Sequence, residues 1–136
     1  MQLSIENTQC GDRGTIAISE SLRYNNSLTS LNLSHCEITD LGASSLADLL
    51  EANNILQILI LHWNKIGSKS ACDLANALTI NETLKVFDAS FNGMDSVECA
   101  QNFKEVFANN RALIHIDLSN NGFKSENIKT MSKYVI

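Results

Sequence analysis

Proline is absent from the 136 residues, aromatic side chains make up 6% and charged ones 18%. With 44% hydrophobic residues, this composition excludes a disordered or collagen-like chain. No apolar run approaches the ~18 residues that a membrane-spanning helix needs. Basic residues are few: 10 Lys and Arg stand against 15 Asp and Glu, a net charge of −5. They nowhere cluster densely enough to neutralise a row of phosphates, so nucleic acid and anionic membrane are not expected partners. The opening stretch MQLSIENTQC has neither the basic region nor the apolar core of a secretory signal, which predicts a cytoplasmic chain with reduced thiols. Cysteine is sparse as well. Cys10, Cys36, Cys72 and Cys99 form no CxxC pair and no zinc-finger spacing with histidine. They read as small buried hydrophobes, with no metal and no cofactor expected.

What the chain does have is 17 Leu, 13 Ile and 16 Asn in a 15.0 kDa length that suits one domain with one core. These residues recur. The chain reads LTSLNLSHCEI from Leu28, LQILILHWNKI from Leu56, LKVFDASFNGM from Leu84 and LIHIDLSNNGF from Leu113, starts that are 28, 28 and 29 residues apart. Stepping back 28 residues from Leu31 and Leu33 lands on Leu3 and Ile5. Five units follow, at about 1–27, 28–55, 56–83, 84–112 and 113–136.

Each unit has two halves. In the first, Leu31 and Leu33, Leu59 and Leu61, Phe87 and Ala89, Ile116 and Leu118 alternate with outward positions, as a short strand with one buried face demands. In the second, Leu46, Leu49 and Leu50, then Leu74 and Leu78, then Phe103, Val106 and Phe107, and last Ile128, Met131 and Val135 recur at helical spacing. The stretch DSVECAQ takes up the extra residue of the 29-residue step. Ala89 is small for its inward slot. After each strand the same position holds Thr8, Cys36, Asn64, Asn92 and Asn121. A buried side chain there can bond backbone groups of the loop between stacked units, which Asn does well and Cys weakly. Asn25, Asn53, Asn81 and Asn110 recur near the helix ends, where Asn suits a left-handed closing residue.

The pattern LxxLxL followed by N or C, then an apolar residue, a helix and a 28-residue period, resembles the leucine-rich repeat family, and the long period its ribonuclease-inhibitor-like class. The resemblance implies an α/β fold: a right-handed solenoid arc with parallel strands on the concave face and helices on the convex face. It further implies that the concave strands and their loops bind another protein. Similar repeats occur in Ran GTPase-activating proteins, so a GTPase-activating regulator is the alternative reading. Arg13, in the loop CGDRG, is the basic residue that would approach a nucleotide phosphate there. The acidic tail common in such activators is missing.

A catalytic set is not assigned. Register places His62 beside Ser90 and Ser119, and Asp88 beside Ile60 and Asp117, but strands stacked at about 4.8 Å make such adjacency inevitable. His35, at a strand end, has no partner set. Asn25, Asn32 and Asn81 each begin an N-x-S/T triplet, read as chance in an Asn-rich chain. The outward strand positions carry the specificity. They are polar at both ends of the array (Gln2, Ser4 and Glu6; Ser30, Asn32 and Ser34; His115, Asp117 and Ser119) and apolar in the middle, where, among Ile58, Ile60 and His62 and Val86, Asp88 and Ser90, the residues Ile58, Ile60 and Val86 form a patch. Trp63 and Phe91 share the slot before the Asn and are expected to stack on each other across units. His62 and Asp88 complete the candidate partner-binding residues, and the carboxylates Glu6, Asp88 and Asp117 favour a partner with a basic rim. The first residues and the apolar run Tyr134, Val135, Ile136 carry no polar cap, from which a longer repeat protein or self-association at the ends is expected.

Overall fold

A computed structural model describes residues 1–132. Strands and helices alternate: β1 (Gln2–Ser4), α1 (Gly11–Leu22), β2 (Ser30–Asn32), α2 (Asp40–Ala52), β3 (Ile58–Ile60), α3 (Ser68–Ile80), β4 (Val86–Asp88), α4 (Val97–Asn109), β5 (His115–Asp117) and α5 (Ser125–Ser132). The strands form one parallel sheet in the order β1-β2-β3-β4-β5. Its register is the sequence period: Leu3 pairs with Leu31, Leu31 with Leu59, Leu59 with Phe87, and Phe87 with Ile116. Each helix packs on the next, α1 to α5. Strands repeat at about 4.8 Å and packed helices at 8–10 Å or so, so a stack with both layers bends with its strands on the inside. The result is an α/β solenoid with a strand face and a helix face.

The core lies between the layers. Leu31, Leu59 and Phe87 from the strands, Leu33, Leu61 and Ala89 two residues on, and Leu46, Leu74 and Phe103 from the helices have no exposed surface. The small Ala89 lies in the unit that also buries Phe87 and Phe103, the two largest fully buried side chains. The edges of the stack differ from the expected pattern. Leu3 is 37% exposed because β1 has a strand neighbour on one side only, and Ile128 is 51% exposed because α5 packs on α4 alone. The side chain of Met131, together with Val135 and the run Tyr134–Ile136, lies outside what the structure describes.

Two asparagine ladders tie the units together. In the first, Asn64 Oδ1 accepts from the N–H groups of Cys36 and Ile38 at 3.0 Å, while its Nδ2 donates to the carbonyls of Leu33 and Leu61 at 2.9 and 2.8 Å. Asn92 and Asn121 repeat this toward the unit before them. Cys36 and Thr8 make a weaker version, a 3.7 Å contact between thiol and hydroxyl. The second ladder corrects an expectation. Asn53, Asn81 and Asn110 are not left-handed but extended, with φ of −97°, −71° and −70°. Extended backbone lets the side chain turn into the stack. Asn53 Oδ1 accepts from Ile55 and Leu56 N–H, and its Nδ2 donates to Leu22 O of the preceding helix at 2.9 Å. Asn81 does the same to Leu50 O. A buried amide so engaged at Asn81 is no glycan acceptor in the folded chain.

Helix starts are capped from the neighbouring unit. Thr39 and Gly67, the N-cap residues of α2 and α3, make no side-chain cap of their own. Instead Asp12 accepts from the N–H groups of Thr39 and Gly42 and from the Thr39 hydroxyl, at 2.8, 2.9 and 2.6 Å, and Asp40 accepts from Gly67 N–H at 2.9 Å. The contact needs Gly42, since a Cβ there would lie 2.7 Å from Asp12 Oδ1. Arg13, expected in a loop, instead sits in the first turn of α1 beside this cap.

Burial works against the charge of Asp12, but its hydrogen bonds with the Thr39 hydroxyl and the Thr39 and Gly42 N–H groups outweigh it and hold the carboxyl below its ordinary pKa. A folded pKa below the unfolded one gives stability that is present above pH ~4 and lost as the pH falls through the folded value. Asp12→Asn is therefore expected to cost about 1–2 kcal/mol at neutral pH. Urea unfolding followed from pH 7 downward should show the gap between the two proteins narrowing as the Asp12 carboxyl is protonated.

Candidate protein-interaction surface

The outward side chains of the sheet stand in rows set by the register. Ile58 lies beside Val86 and Val86 beside His115; Ile60 lies beside Asp88 and Asp88 beside Asp117. Ile58, Ile60 and Val86 are half-buried and contiguous, and His115 is exposed. Two of the expected outward positions are not outward. Ser34 has no exposed surface and Ser90 is 4% exposed. Both are held by a local staple and have a further strand beyond their own: Asp88 Oδ1 accepts from the Ser90 N–H at 3.0 Å and from its hydroxyl at 2.7 Å, and Asn32 holds Ser34 in the same way. Asp117 Oδ1 accepts from Ser119 N–H at 2.9 Å. In β3 the corresponding residues are Ile60 and His62, which cannot form this staple, so the polar row is interrupted there by apolar surface.

Beside the sheet runs a rail of rings. Trp63 and Phe91 stack with centroids 4.2 Å apart and planes at 9°. His35 stacks on the other side of Trp63 at 5.5 Å and meets His62 edge-on at 5.7 Å, so the histidine that lacked a partner in the sequence is the third ring of the rail. Its signal was present in the shared slot. Every residue of that slot is left-handed: Asn7, His35, Trp63, Phe91 and Asn120 have φ between 53° and 60°. Asn tolerates this conformation; Trp and Phe adopt it at a cost on the order of 1 kcal/mol or more. Trp63 nevertheless remains 50% exposed and Phe91 37%.

The nine candidate residues thus fall into two adjoining bands. Ile58, Ile60, Val86, Asp88, His115 and Asp117 occupy the strand rows, and Trp63, Phe91 and His62 the rail. Hydrogen bonds from the backbone and the hydroxyl of Ser119, with smaller contributions from His115 and His62, hold the Asp117 carboxyl below its ordinary pKa against the opposing effect of burial. Among the described residues, no hydrogen bond joins a histidine to a serine, and the Ser90 hydroxyl is committed to Asp88. No group of three or more His, Cys, Asp or Glu is arranged among them to hold a metal ion. Cys36 and Cys99 are buried and Cys10 and Cys72 partly so, all as free thiols. Burial, with Cys72, Asp95 and Glu98 nearby, pushes the Cys99 thiol up to about 12, so it is no nucleophile at neutral pH.

A family model for the leucine-rich repeat matches residues 24–47, from the end of α1 into α2. The fold is that of a leucine-rich-repeat solenoid. Two solved structures share this fold over 98% of the chain. One is of leiomodin-1 actin-binding site 2, at 21% identity and a TM-score of 0.82, with 78% of that chain covered. The other is the tropomodulin C-terminal domain of Caenorhabditis elegans, at 15% identity and a TM-score of 0.83, with 81% covered. No curated protein matches the chain. Among the described residues of this leucine-rich-repeat solenoid, no helix is long and apolar enough to cross a membrane.

Proposed function

We propose that this solenoid is a protein-interaction module of intracellular scaffolding or sensing type, of the ribonuclease-inhibitor-like class, which takes its partner on the strand face and the adjoining rail. One observation carries this reading: an apolar saddle of Ile58, Ile60 and Val86 adjoins aromatic rings that stay at the surface although their backbone conformation disfavours them. Aromatic anchors beside a desolvatable apolar centre are what the core of a protein interface needs. Asp88 and Asp117 would orient the partner and speed its encounter. The leiomodin-1 neighbour is an actin-binding site, which makes actin one defined partner to test. No feature of Arg13 favours the GTPase-activating alternative: it is exposed on α1, beside a helix cap that Asp12 already fills.

The test is capture from cell lysate, with purified actin as a separate arm. Val86→Asp and Ile60→Lys are expected to abolish capture of proteins that the wild-type chain retains, with the thermal midpoint nearly unchanged. Ile80→Lys, on α3 at a position 63% exposed, should leave capture intact. Unchanged capture by both strand-face variants would overturn the assignment.

A further inference from the structure

The interaction face carries acids and no fixed cation. Glu6, Asp88 and Asp117 lie on it, whereas among the described residues no Lys or Arg occupies an outward strand position or a rail slot. Lys85 precedes Val86 but falls on the opposite parity of the strand alternation from Val86 and Asp88, and Lys65, two residues from Trp63, has its Nζ 3.7 Å from Glu37. Asp88 and Asp117 are register partners, so their carboxylates stand on strands about 4.8 Å apart. Each accepts at Oδ1 from the serine two residues on, and neither forms an ion pair with a Lys or Arg among the described residues. The apolar saddle adjoins them directly: Val86 lies on the same strand as Asp88, and Ile60 is the register partner of Asp88 on β3.

We propose, resting on the interaction reading above, that the occupant of this face is a basic amphipathic segment of another protein: an aliphatic side chain seats on Ile58, Ile60 and Val86, and an arginine or lysine spans Asp88 and Asp117. Charge complementarity selects this occupant. A guanidinium bridges two carboxylates through paired N–H donors and is the better of the two cations for it. Trp63 is a poor competitor for the cation, because its ring stacks between His35 and Phe91 and a stacked ring face is a poor cation–π site. Its edges extend the apolar surface instead. A second copy is disfavoured, since it would bring the same carboxylates and a net charge of −5 to the contact.

The chain contains one tryptophan, and it stands on this face, so its emission reports occupancy directly. Three synthetic peptides of about ten residues serve as probes, alternating Leu with Arg, Leu with Glu, and Ser with Arg. The Leu–Arg peptide is expected to shift the Trp63 emission saturably, with the other two at least about tenfold weaker. The paired change Asp88→Asn with Asp117→Asn should weaken the Leu–Arg peptide about tenfold while leaving the thermal midpoint in place. Equal binding of the Leu–Glu peptide, no saturable shift with any peptide, or undiminished binding by the paired variant overturns the proposal. So does concentration-dependent self-association in sedimentation velocity that Ile60→Lys abolishes, which would make a second copy the occupant. If Ile60→Lys still abolishes lysate capture while the peptides show no charge preference, the interaction face stands and the basic occupant falls.

Discussion

Asn64→Ala is expected to lower the unfolding free energy by about 3–5 kcal/mol, read as a fall in the urea midpoint. The side chain satisfies two N–H groups in the loop after β2 and two carbonyls, one in its own unit and one in the unit before it. Those backbone groups lie between stacked units, where water does not replace the lost partners, so alanine exposes the penalty of several unpaired polar groups at once. Asn64→Cys should cost less, because Cys36 fills the same slot and still donates to Ile5 O and Ser34 O at 3.3 Å. A loss under ~1 kcal/mol for the alanine variant would mean that the ladder adds no more than a single ordinary hydrogen bond.

Trp63→Gly should separate binding from stability. Glycine relieves the left-handed backbone by ~1 kcal/mol, while the change removes stacking with Phe91 and His35 worth about as much. The net change in stability is expected to stay within ~1 kcal/mol. Partner affinity should fall by about 2–4 kcal/mol, or roughly 30- to 1000-fold, as for an aromatic anchor at an interface centre. Equilibrium binding and thermal unfolding of the same variant check both halves. A variant that loses several kcal/mol of stability and keeps its partner would make the rail a structural feature of the loop instead.

How far the sequence alone reaches is visible residue by residue. The period, the strand register and the inward columns were legible because a repeat writes each contact several times: Leu31, Leu59 and Phe87 announce one another. The stacking of Trp63 on Phe91 followed from the same register. The burial of Ser34 and Ser90 was not legible from alternation, because it depends on a staple to the residue two positions earlier together with a strand beyond; Ser119, with the same D-x-S spacing but on the last strand of the sheet, is exposed. The extended backbone of Asn53 and the reach of Asp12 across to α2 depend on side-chain direction, which spacing does not encode. The stack edges failed for a simpler reason. Periodicity marks Leu3 and Ile128 as inward but does not say whether a neighbour covers them.

Photo-crosslinking tests the strand-face assignment most directly. With a benzophenone amino acid placed in turn at positions 60, 63, 80 and 97, cross-links to the partner retained by the wild-type chain are expected from 60 and 63, on the strand side. None is expected from 80 and 97, where Ile80 and Val97 are exposed on the helices. Cross-links from 80 or 97 with none from 60 or 63 would place recognition on the helical side and contradict the strand face as the binding surface.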